Sequence, residues 1–149
     1  MRSPVRTLSV TLGVVLVACG DGGTEPSASS FTGSWHATKL EYVSVANPST
    51  KVDVIGQGAT LTVQFNGGGG YTSTLTMPGE AQEITTGTWE ASVDVFTMRW
   101  TEGAFTNEMQ FDWTMSGSTL TLVGATSDFD FAGTGELQPA KLNVTLVRQ

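Results

Sequence analysis

The residues of this chain that could do chemistry are few and scattered. His36 is its one histidine and Cys19 its one thiol. A zinc site or an activated nucleophile needs a second such side chain beside the first, so neither is expected. His36 falls out of phase with its apolar neighbour and should face outward, and the serines have no general base to work with. Asp and Glu number fourteen, but they fall mostly in turns or on polar faces, which are poor places for paired acid–base work. The run Asn66-Gly67-Gly68-Gly69-Gly70 is followed by neither a helix nor a lysine, so it reads as a turn and not a phosphate cradle. One cluster stands apart. Asp128-Phe129-Asp130-Phe131-Ala132-Gly133 places carboxylates first and third and glycine sixth, like the start of a calcium loop. The fifth place is Ala132 and the twelfth Pro139, so two ligands are missing and Glu136 would have to substitute. The expectation is an acidic, irregular connection with two aromatics folded back onto the body. Asp128, Asp130 and Glu136 are the one metal candidate, and no cofactor or enzymatic activity is expected.

The elements that position these residues read as strands. Between residues 31 and 149 no useful helical stripe appears, whereas alternation with period two recurs. Ala59, Leu61, Val63 and Phe65 share a face, as do Tyr71, Ser73, Leu75 and Met77. Phe96, Met98 and Trp100 form the next set, followed by Met109, Phe111, Trp113 and Met115. Leu120 with Leu122, and Leu142 with Val144 and Leu146, continue the pattern. Threonine fills much of the opposite face, as suits a pleated, solvated surface. The spacing predicts eight strands, at 33–45, 57–66, 70–77, 83–91, 93–101, 106–116, 118–125 and 139–148, each one hairpin from the next. Eight sequential antiparallel strands with one apolar face remove their free edges by closing. The predicted fold is therefore all-β, an eight-stranded up-and-down antiparallel barrel, with a two-sheet β-sandwich as the alternative.

The first thirty residues do not share this pattern. Arg2 and Arg6 precede an apolar run, LSVTLGVVLVA at 8–18, which suits a secretory signal and is too short to span a bilayer. The junction Leu16-Val17-Ala18-Cys19-Gly20 resembles the lipobox of bacterial lipoproteins. That resemblance implies cleavage after residue 18, a diacylglyceryl thioether on Cys19 and a palmitate-type acyl chain on its α-amine. Several chains together give stable anchoring, at about 0.8 kcal/mol per buried CH₂. Residues 19–30, GDGGTEPSASS after the cysteine, are small and polar and read as a tether. Gly20, in place of Asp, resembles lipoproteins sent to the outer membrane, which implies a lipid-anchored envelope protein on its periplasmic face. Three segments follow: a signal peptide at 1–18, a lipidated tether at 19–30 and a barrel domain at 31–149. Losing Arg2 and Arg6 leaves five of the seven Lys and Arg against fourteen Asp and Glu, a balance of −9. Such a surface has no footprint for nucleic acid.

Gly33-Ser34-Trp35 at the start of the first predicted strand resembles the G-x-W of the lipocalins and their bacterial lipocalin-like (calycin-type) relatives. The resemblance spans about residues 31–149. It implies that Trp35 plugs the closed end of a barrel and that a basic residue late in the last strand packs across it. Arg148, in phase with Leu142, Val144 and Leu146, fits that role, since an indole face gives an inward guanidinium a partner. A second G-x-W, Gly87-Thr88-Trp89, occurs mid-chain, while the further lipocalin motifs are not recognisable.

The large apolar residues Phe65, Tyr71, Met77, Phe96, Met98, Trp100, Met109, Phe111, Trp113 and Met115 are the candidate interior. An eight-stranded barrel is either filled by side chains or wide enough for one small ligand, and methionine beside aromatics suits an adaptable apolar pocket. The leading expectation is an anchored module that binds a small apolar molecule without catalysis. The alternative is a structural, interaction or inhibitor module whose barrel is solid and whose loops do the work.

Overall fold

Period-two alternation is realised as nine strands in a computed structural model that describes residues 26–149. The signal-like segment, Cys19 and the tether up to residue 25 lie outside the described residues. The strands are β1 (Gly33–Ser44), β2 (Lys51–Asp53), β3 (Thr60–Phe65), β4 (Gly70–Thr76), β5 (Glu83–Ala91), β6 (Val95–Glu102), β7 (Phe105–Ser116), β8 (Thr119–Phe129) and β9 (Gln138–Arg148). From β3 to β9 each pairs antiparallel with the next, and β1 pairs with both β3 and β9. The result is a closed eight-stranded up-and-down barrel with β2 as an extra strand, not a sandwich.

Three features depart from the sequence expectation. First, β1 and β3 are not joined by a hairpin. They pair only from Gly33 to His36. Beyond that, the segment around β2 fills the seam. Asp53 Oδ1 accepts the Leu40 and Ile55 N–H groups at 3.1 and 3.2 Å, the Val54 N–H donates to the Leu40 carbonyl, and Val54 is buried. Second, β1 and β8 each carry a bulge, between Ala37 and Lys39 and between Leu122 and Ala125. Each extra residue reverses the inward phase, from Trp35 and Ala37 to Leu40 and from Leu122 to Ala125. The bulges flank β9 on both sides and supply the local bending a small barrel needs to close. Gly124 in the second has φ of +85° and donates its N–H to Asn143 Oδ1. Third, β8 runs to Phe129, so Asp128 and Phe129 of the expected irregular acidic connection are strand.

A 3-10 turn at Ala28–Ser30, within the stretch read as tether, leads into Phe31. Among the described residues no helix is long and apolar enough to cross a membrane.

The end of the barrel nearest this turn is plugged by aromatics. Phe31, fully buried, lies 5.5, 5.3 and 5.1 Å from the ring centroids of Trp89, Phe96 and Trp113. Phe65 packs edge-on against Trp89 and Phe96, which stack on each other. The indole N–H groups of Trp35, Trp89 and Trp113 donate to the carbonyls of Phe31, Asn66 and Ser92. That satisfies the polar edge of each ring while Trp35 and Trp89 are buried and Trp113 is half-buried against the core.

Trp35 and Arg148 are directly paired across β1 and β9. The guanidinium carbon stands 4.4 Å from the Trp35 ring centroid. Arg148 Nη1 and Nη2 donate to the carbonyls of Thr32 and Ser30, each at 2.5 Å. Gly33 has φ of +134°, and a Cβ there would lie 2.8 Å from Arg148 Nη1. The first residue of the G-x-W is thus a glycine because its backbone takes a left-handed φ that other residues rarely adopt, with the guanidinium lying over the space a side chain would take.

Candidate functional site

The strand directions that seal one end leave the other open. There the end of β1 meets the start of β9 at Tyr42 and Leu142, and the end of β4 meets the start of β5 at Leu75 and Glu83. Below this rim the barrel holds a cavity of about 210 Å³. Leu61 and Val63 of β3, Leu75 of β4, Met98 of β6, Met109 and Phe111 of β7, and Leu142, Val144 and Leu146 of β9 form half of its wall. The volume lies below the ~300 Å³ of ordinary drug-sized pockets and above the ~150 Å³ that accommodates benzene. A single ring or a short alkyl chain fits it.

Of the residues expected to face the interior, Phe65, Tyr71, Met98, Trp100, Met109 and Phe111 border this cavity. Four do not. Phe96 and Trp113 belong to the aromatic plug, and Met77 and Met115 pack against the core outside the lining. All four belong to the core or pack against it, at heights along the barrel other than that of the cavity.

The polar part of the lining comes from Ser73, Thr85, Glu83 and the phenol of Tyr42. On β5 the inward positions at this end are Glu83 and Thr85, while Ile84 faces out and is 59% exposed. Hydropathy alternation does not find an inward face that is polar, so neither residue stood out in the sequence. Tyr42 stacks on Phe129 with ring centroids 4.3 Å apart, and Phe131 packs edge-on against Phe129. Burial pushes the Tyr42 phenol above its ordinary range, and the Glu83 carboxylate adds to the effect. Burial likewise raises Tyr71. Glu83 is the charged member of the lining, and no Lys, Arg or His borders the cavity among the described residues.

Gly87 shapes the wall nearby. A Cβ on it would lie 1.9 Å from the Arg99 carbonyl oxygen and 2.8 Å from Tyr71 Cε1. The second G-x-W therefore carries its glycine for close backbone approach, with the Tyr71 ring covering the gap.

The acidic connection has a structural explanation of its own. Asp130 Oδ1 and Oδ2 accept the N–H groups of Ala132 and Gly135 at 3.1 and 2.5 Å. These bonds, Gly135 first, hold its carboxyl below the usual aspartate range. Among the described residues no three His, Cys, Asp or Glu side chains converge as a metal site, and Asp128 and Glu136 do not join Asp130 in one. His36 lies on the outer face of β1, paired with Thr62 and Val147, with its Nδ1 enclosed and unpartnered.

Fold and site together define a small closed antiparallel barrel of lipocalin-like strand order, sealed by aromatics at one end and hollow toward the other. No family model matches the chain, and no curated protein is significantly similar to it in sequence.

Proposed function

We propose that the barrel is a non-catalytic binding module for one small apolar molecule, held from the open end and presented at the cell envelope by lipid on Cys19. The observation that carries the binding reading is the apolar cavity above the aromatic plug. Bulky side chains have filled one end of the barrel, and the space left is lined by methionine, leucine, valine and aromatic groups. Met98 and Met109 give that wall the adaptability that suits a small hydrophobic guest. The envelope reading rests on the lipobox-like 16–20 segment and on Gly20, which together favour the periplasmic face of the outer membrane. An acidic body beside anionic headgroups needs such an anchor to stay at a membrane.

Native mass spectrometry of the full-length protein, as purified and after delipidation, tests the binding. A co-purifying mass of a few hundred daltons or less, lost on delipidation and restored by an added single-ring compound, supports it. A protein that carries nothing and accepts no such compound favours a second reading, a structural or protein-interaction module. That reading draws on Phe105 and Leu137, which are 76% and 68% exposed beside the open end. Apolar side chains held in water at loop tips are what a protein partner would cover.

A further inference from the structure

The cavity has a charge preference as well as a shape. Its lining includes the Glu83 carboxylate and, among the described residues, no cationic side chain. Glu83 stands at the rim, at the start of β5, exposed to water, and accepts no hydrogen bond or ion pair from the described residues. The connections around the same rim carry Glu80, Asp130 and Glu136, and Glu102 ends β6 beside them. The lysines toward this end stay out of the lining. Lys51 on β2 is exposed, while Glu41 beside it pairs with Lys39, and Lys141 on β9 donates outward to the Thr126 hydroxyl. The aromatic rings of Trp100 and Tyr42 also border the cavity.

We infer that the site takes small apolar amines, compounds with a hydrocarbon body for the cavity and an ammonium head for Glu83, and discriminates against carboxylate-headed molecules of the same size. The inference rests on the binding reading above and adds the identity of the head group. A charge brought to the edge of an apolar cavity is costly unless it is paired. An ammonium finds the Glu83 carboxylate, water at the rim and an aromatic face within reach. A carboxylate finds no cation in the lining and meets like charge. The acidic rim extends this preference outward by concentrating cations at the mouth, an effect that salt screens over about 10 Å.

The test is isothermal titration of the full-length protein at low ionic strength with three probes that share a phenylethyl body. These are 2-phenylethylammonium, 2-phenylethanol and 3-phenylpropanoate. The amine should bind about tenfold more tightly than the alcohol, and the alcohol more tightly than the acid, a tenfold step corresponding to about 1.4 kcal/mol. Glu83→Gln should weaken the amine about tenfold and leave the alcohol within about twofold. Glu83→Lys should reverse the order of amine and acid. Added salt should narrow the amine's advantage. If the alcohol or the acid binds as well as the amine, or Glu83→Gln leaves all three unchanged, the head-group inference falls and the apolar cavity reading stands. If none of the three binds, both fall.

Discussion

Replacing Arg148 by Ala removes a stacked guanidinium and two hydrogen bonds that tie the last strand to the turn entering the first. The geometry sets the size of the effect. A guanidinium carbon 4.4 Å from the Trp35 centroid contributes about 1 kcal/mol. The bond from Nη1 to the partly buried Thr32 carbonyl contributes about 2 kcal/mol, as a charged donor does. The bond to the Ser30 carbonyl is exposed and contributes little. Together these predict a loss of about 3 kcal/mol, or about 10 °C in Tm for a domain of this size. Arg148→Lys keeps the charge but cannot stack and reach both carbonyls at once, so it should lose about half as much. Trp35→Phe alone should also destabilise, through the lost bond to the Phe31 carbonyl and the smaller ring. The double variant Trp35→Phe with Arg148→Ala should lose about 1 kcal/mol less than the sum of the two single losses. Urea denaturation followed by tryptophan fluorescence measures all four. Strict additivity, or an Arg148→Ala protein within about 0.5 kcal/mol of wild type, would refute the argument that this pair closes the end of the barrel.

Gly87→Ala should destabilise by about 3 kcal/mol or prevent folding, because the obstacle is the Arg99 backbone carbonyl and not a movable side chain. A loss below about 1 kcal/mol in the same denaturation assay would contradict that close approach. Asp130 accepts N–H bonds as a carboxylate, so folding lowers its pKa. Its stabilisation is therefore present above the unfolded value and lost as pH falls through the folded one. The Gly135 amide resonance should titrate below pH ~3.9, and in Asp130→Asn it should lose that titration. Cys19→Ser should abolish lipidation and move the protein out of the detergent-soluble membrane fraction. A wild-type protein found soluble after export, with its N-terminus beyond Cys19, would overturn the anchor proposal.

The parts of the fold legible in the sequence are those where period two runs unbroken. In β3, β4, β6 and β7 the apolar alternation matches the inward face without a slip. It fails where the chain changes phase. The bulge near Thr38 and the one at Gly124 answer to the curvature of the closed sheet and leave no hydropathy signature of their own. β2 is too short and too polar to alternate, and Val54 beside it gives no pattern by itself. The interior of β5 escaped notice because Glu83 and Thr85 point in while Ile84 points out. Among the apolar residues, alternation gives the face and not the height, so it could not separate Met98 and Met109, in the cavity wall, from Met115, outside it. Phe31 lies before the first strand, where no periodicity marks it as the centre of a plug.

The difference in height between these methionines gives the most direct measurement. With ¹³C-methyl methionine labelling, titration of the full-length protein with neutral 2-phenylethanol should shift the Met98 and Met109 methyl resonances and leave Met115 in place. Saturable shifts confined to Met98 and Met109 are the result expected of an open-end cavity that holds a small apolar guest. Methyl resonances that stay fixed, or a shift led by Met115, would contradict it.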